Sequence, residues 1–278
     1  MPITEQVPLT GQAVSIAERY GDPDATLEVS NDSLAIQLAH RSVRAFTDDA
    51  VDDARVHAIV AAAQSAPTSS NLQPWSVIAV RDAGRRARLA DLANHQQFIV
   101  EAPLFLVWIA DLDRVRRLAA RAGKPLDGAD YLETTLIGII DTSLAAQNAV
   151  VAAESLGLGT VFVGALRNRP REVAAELNLP PHTVAVFGLA VGTPDPAERA
   201  GIKPRLPQSA VLHHEQYDAE GADRDLAGYD ESLSRYNRAH GLTGDWSSRV
   251  LARLANADAL HGRDRLRDHL EYLGLSAR

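Results

Sequence analysis

The stretch Asp141–Asn168, DTSLAAQNAVVAAESLGLGTVFVGALRN, decides how the rest of the chain is read. Its first half completes an apolar run that begins at Tyr131, and Tyr131–Leu156 reads as one long helix stopped by Gly157 and Gly159. Thr160–Val163 then reads as a short buried strand, and Pro170 opens another helix at the position where a missing N–H costs nothing. The long run is also membrane-span length. Asp141, Gln147, Asn148 and Glu154 interrupt it, so a buried helix of a soluble protein is expected.

Working outward, Val184–Val191 and Leu104–Ala110 are continuous apolar runs, read as strands buried on both faces. Ser76–Val80 is a further strand. Asn31-Asp32-Ser33 caps a short helix to about Ala39, and Asp52-Asp53 starts another that ends before Pro67. After Gly192 the chain turns polar and irregular, then closes with two or three helices between Asp223 and Leu273. Strands interleaved with helices predict an α+β fold, a central sheet flanked by helices. Residues 1–30 read as an extension, and 31–278 as one domain with a helical excursion over 223–278.

The 278 residues carry 46% apolar and 23% charged side chains, which excludes disorder. A formal charge of −8 argues against nucleic acid as a partner. With no Cys, a disulfide scaffold, an iron–sulfur centre and a thiol nucleophile are excluded. His213-His214-Glu215 is the one tight histidine cluster, and it lacks metal-helix spacing, so no metal is expected. No basic leader or apolar leader core is visible, and a cytoplasmic location is expected. Neither GxGxxG after a strand, nor GxxxxGK[ST], nor G-x-S-x-G occurs.

Three separated segments carry candidate chemistry. His40-Arg41-Ser42-Val43-Arg44 places two guanidiniums, an imidazole and a hydroxyl within five residues, which suits a phosphate or another anion, or a basic helix end. Ala66–Trp75, APTSSNLQPW, concentrates hydroxyls and amides before a strand, suited to the edge of a polar heterocycle or to turn formation. Lys203-Pro204-Arg205-Leu206-Pro207 stiffens two cations with prolines. Lys203 is one of only two lysines among 28 basic residues.

Together, and in this order, the segments resemble the FMN-dependent nitroreductase family, in its larger branch of oxygen-insensitive NADPH nitroreductases and flavin reductases. The matching stretches are HRSVRAFTDDAV (40–51), APTSSNLQPWSV (66–77), the opening 141–168 block, FGLAVGTP (187–194), KPRLPQSAVLHHEQY (203–217) and YDESL (229–233). The resemblance spans about Leu38 to Tyr236 and implies an intertwined homodimer around a mixed sheet, with FMN bound and NADPH or NADH as electron donor. By it, His40, Arg41 and Ser42 grip the FMN phosphate with Lys203 and Arg205, and Arg44 faces the pyrimidine edge. Thr68, Ser69, Ser70, Asn71 and Gln73 match the loop that reaches the flavin. Gln96 matches a polar contact to the ring, and Val163, Gly164 and Ala165 a backbone passing close to it. Ser70 and Arg167 are implied on the substrate side.

In NADPH-preferring relatives, arginines beyond the YDExL helix hold the 2′-phosphate. Here that stretch offers Arg238 alone among Arg238–Asp245. The implied reaction is ping-pong two-electron hydride transfer to nitroaromatics, quinones or flavins as small-molecule acceptors. No side chain need act as the catalytic group, because the chemistry belongs to the flavin N5. Two alternatives stand beside it: a flavin reductase feeding a monooxygenase, and a flavin-binding protein without catalysis.

Overall fold

The computed structural model describes residues 16–275. They run α1 (Ile16–Tyr20), α2 (Asp32–Ala39), α3 (Asp53–Gln64), β1 (Trp75–Val80), α4 (Ala83–Leu92), α5 (Gln97–Glu101), β2 (Leu104–Asp111) and α6 (Asp113–Ala122). There follow α7 (Leu132–Ser155), β3 (Gly159–Val163), α8 (Pro170–Glu176) and β4 (Thr183–Gly192). The chain ends with α9 (Ala219–Asp223), α10 (Leu226–Ala239), α11 (Trp246–Arg253) and α12 (Leu266–Tyr272). The expected strands and the long helix are each found within one residue of their predicted ends. The two caps are as read: Asn31 Oδ1 accepts the Leu34 N–H at 2.9 Å, and Asp52 Oδ1 that of Arg55 at 2.7 Å. The helices α4 and α6 were not legible, because they are Arg-rich and bury little; α4 buries only Leu89 and Ala90, and α6 nothing.

The chain forms two compact units. One joins the described residues through His40 to Gly201–Val250; the other joins Arg41–Ala200 to the segment from Leu251 onward. The second unit holds the sheet, in the order β1-β2-β4-β3 with every neighbouring pair antiparallel. Its parallel component is one bridge, Ser42 to Thr160. That pairing goes no further because Glu198 Oε1 takes the next amides, Arg44 N–H at 2.6 Å and Ala45 N–H at 3.3 Å.

The central strand explains its own composition. On one face of β2, Phe105, Val107 and Ile109 pack with Leu89, Ile99 and Leu166. On the other, Leu104, Leu106 and Trp108 pack with Ile59, Ala145 and Ala149. Both faces are covered, so the strand is apolar throughout rather than alternating. The first face is covered by α4, α5 and α8. There Glu176 binds Arg88 at 2.8 and 2.9 Å and Arg85 at 3.1 Å, and these hydrogen bonds, that of Arg88 foremost, hold its carboxyl at about 2.

The second face belongs to α3 and α7. Ala145, Ala149 and Ala153 recur every four residues and bring the α7 backbone close to the sheet. By length and composition α7 could cross a membrane, yet nine of its 24 residues are buried in this unit. Its opposite side is uncovered: Leu132, Leu136, Ile140 and Leu144, again four apart, are 41–54% exposed. The end of the chain is fastened to the sheet unit by His182, whose N–H donates to Leu273 O at 2.6 Å and whose Nδ1 lies 2.6 Å from Gly274 O.

The first unit is built around α10. Tyr229, Leu233 and Asn237 are its buried face. Asp230 Oδ1 accepts the N–H groups of Trp246 and Ser247 at 3.0 and 2.9 Å and so caps α11.

Candidate functional site

The hydroxyl- and amide-rich loop is held in an unusual backbone. Ser70, Asn71 and Gln73 all have positive φ, at 48°, 56° and 49°. Only Asn among these tolerates the left-handed region readily, so the surroundings must impose the conformation. Asp141 does so from the middle of α7. Only 3% exposed, it accepts the Thr68 hydroxyl at 2.6 Å and the Ser69 N–H at 3.3 Å. Thr68 Oγ1 in turn accepts the Gln73 N–H at 2.9 Å, while Arg114 of α6 donates to Gln73 O at 3.0 Å. Clamped at both ends, the loop presents Ser69, Ser70, Asn71 and Gln73 to solvent. Gln73 Nε2 donates to Asn71 Oδ1 at 3.0 Å.

Within the same unit, the Ser42 bridge sets Arg41–Arg44 beside the start of β3, and Val163, Gly164 and Ala165 follow its other end. Arg41 Nη1 donates to Glu198 Oε2 at 3.4 Å and to Ala200 O at 3.2 Å. The Arg44 guanidinium lies 5.9 Å from the centre of the Phe98 ring, on the helix that Gln96 opens. The structure thus brings Arg44 next to the Gln96 segment. Gln96 Nε2 donates to Asn94 O at 3.3 Å.

At Gly164 a Cβ would stand 3.2 Å from the Arg167 guanidinium, a tight approach that a larger residue would meet by shifting that side chain. Arg167 donates to Val186 O, and burial pushes its guanidinium below the usual arginine value. Arg263 is pushed down as well, by burial and then by the guanidiniums of Arg253 and Arg167.

In the other unit His40, Lys203, Arg205 and Arg238 are found. His40 follows α2 as its C-cap, and the Lys203 ammonium lies 5.7 Å from the centre of the Tyr236 ring. Arg205 donates to Lys203 O at 3.0 Å, and Tyr229 Oη donates to Pro204 O at 3.1 Å. Arg238 is exposed in the last turn of α10.

Three residues of consequence were missed from the sequence: Asp141, Glu198 and Arg19. For Asp141 a signal existed, since an acid in the middle of an apolar helix must find partners. Glu198 binds residues more than 150 positions away, Arg19 does so as well as binding nearer ones, and no local pattern marks either.

Residues 38–193 match the Nitroreductase family, and residues 203–278 match the Nitroreductase family, C-terminal domain. The oxygen-insensitive NADPH nitroreductase of Salmonella typhimurium is 40% identical over 221 residues, 78% of this chain and 89% of the relative. The FMN reductase [NAD(P)H] of Bacillus subtilis is 39% identical over 216 residues, 76% and 86% of the two chains. Among solved structures, the NADPH:FMN oxidoreductase from Vibrio harveyi complexed with NAD+ superposes with a TM-score of 0.79 at 35% identity. It covers 89% of this chain and 100% of its own. The order of helices and strands, the block 141–168 and these matches agree, and the chain belongs to the nitroreductase family.

Proposed function

We propose that this chain is an FMN-dependent NAD(P)H oxidoreductase that reduces nitroaromatics, quinones or free flavins two electrons at a time. The observation that carries it is the strained, solvent-facing loop Thr68–Gln73, clamped on Asp141 in a chain of this family. The donor set fits a flavin mononucleotide. Guanidiniums, an ammonium and an imidazole suit a dianionic phosphate, hydroxyls and amides suit the ring edge, and Gly164 would keep a side chain off the ring face. When bound, FMN supplies hydride chemistry at its N5. The protein's own residues bind and orient. Arg44, braced on Phe98, would offer a cation to the pyrimidine edge of the ring. Ser70 and Arg167 face the acceptor, and exposed Arg238 takes the donor's 2′-phosphate.

The purified protein is expected to be yellow and, in anaerobic titration, to bleach with NADPH and NADH. Arg238→Ala is expected to weaken the response to NADPH and spare that to NADH. A colourless protein that takes up no added FMN overturns the reading. A yellow protein that neither nucleotide bleaches would mark a flavin-binding protein without catalysis. Comparing turnover with free FMN and with a quinone identifies a flavin reductase.

The uncovered stripe Leu132, Leu136, Ile140 and Leu144 supports a homodimer in which α7 meets its copy. Light scattering at micromolar concentration is expected to give about twice 29.9 kDa, and a monomeric mass would refute the dimer.

A further inference from the structure

Arg19 lies outside both family-matched segments, yet it is one of the most deeply buried charges in the chain, at 6% exposure. Its guanidinium donates to three carbonyls on two segments that the proposed function assigns to the cofactor phosphate. Nη2 reaches Leu38 O and His40 O, both at 2.6 Å, Nε reaches Leu38 O at 3.2 Å, and Nη1 reaches Lys203 O at 3.1 Å. The tie is returned, because the Arg205 N–H donates to Arg19 O at 2.9 Å. The turn that follows α1 is itself docked on α10. Gly21 has φ +62°, and its carbonyl accepts from Arg235 Nη2 at 3.2 Å.

A planar fork with five donors spans three carbonyls in a fixed geometry that a compact ammonium does not reproduce. Burying its charge is costly unless those bonds form, so the geometry is held firmly. We infer that Arg19 is a positioning residue: it sets the backbone at His40 and Lys203, and through it the side chains of His40, Lys203 and Arg205 that receive a phosphate monoester. The N-terminal extension would then complete the phosphate subsite of this chain from outside the family-matched fold. This rests on the FMN reading above.

The test compares FMN with riboflavin, which has the same ring and no phosphate, by flavin fluorescence on the apo-protein. Arg19→Met is expected to weaken FMN by about tenfold or more, the loss of one well-placed charge-assisted hydrogen bond, and to leave riboflavin unchanged. Arg19→Lys, which keeps the charge but not the fork, is expected to show the same selective loss and serves if the Met variant does not fold. Unchanged FMN affinity, or FMN and riboflavin weakening together, overturns the inference. A wild-type protein that binds the two flavins equally removes the phosphate subsite itself, and one that binds neither overturns the FMN reading with it.

Discussion

Asp141→Ala should unfold about 3 kcal/mol more easily than the parent in urea and bind FMN about a hundredfold more weakly. The carboxylate is buried and accepts from both the Thr68 hydroxyl and the Ser69 N–H. Hydrogen bonds to a charged group contribute about 1.5–3 kcal/mol each. Downstream of them sit three non-glycine residues in the left-handed region, of which Ser70 and Gln73 each cost about 1–3 kcal/mol. With Asp141 gone, the hydrogen bonds from α7 that oppose relaxation of that strain are lost, and the loop loses the shape in which Ser69–Gln73 face outward. Thr68→Val cuts the same relay one step later, where Thr68 Oγ1 accepts the Gln73 N–H. The double variant should therefore cost little more than Asp141→Ala alone, because both act on one network. Additive losses would show that the clamp is not a unit. An Asp141→Ala protein with unaltered melting and flavin affinity would show that the loop needs no clamp.

Gly188→Ala should cost about 3 kcal/mol with no change at the loop. Gly188 lies in β4 between Val107 of β2 and Val163 of β3. A Cβ there would stand 2.0 Å from Phe105 Cζ and 2.6 Å from its Cε2. Phe105 is fully buried against the α4, α5 and α8 side of the sheet and cannot swing away. Pairing the change with Phe105→Leu should restore part of the loss, since the smaller side chain vacates the contested space. As a control, Gly128→Ala meets nothing within 4 Å and should shift the urea midpoint negligibly. A Gly188→Ala protein as stable as the parent would mean that β4 can shift away from β2 at this point.

How far each feature could be read before the structure depends on the range of the interaction behind it. β2 and β4 were legible because their apolar runs are continuous, and α7 because its long apolar run is stopped by Gly157 and Gly159. The polar helices α4 and α6 were not, since exposed arginines leave little periodic signal. The chemistry-bearing segments 40–44, 66–75 and 203–207 were legible as compositions, the first with a plain alternative as a helix end and the second as a turn. The sequence was silent on what fixes their shape. Thr68 finds Asp141 across 73 positions, Arg44 finds Glu198 across 154, and Arg19 finds Lys203 across 184.

By itself, then, the sequence determined the four strands, the long helix α7, the exclusion of thiol chemistry and the family. These follow from local periodicity, from residue counts and from ordered motifs. Only the tertiary structure decided that Ser70, Asn71 and Gln73 are left-handed, that the sheet's parallel pairing stops at one bridge, and that a residue before the matched region holds His40 and Lys203. Each of these depends on a buried or part-buried charge meeting a backbone group far away in sequence, and such a meeting exists only once the chain has closed on itself.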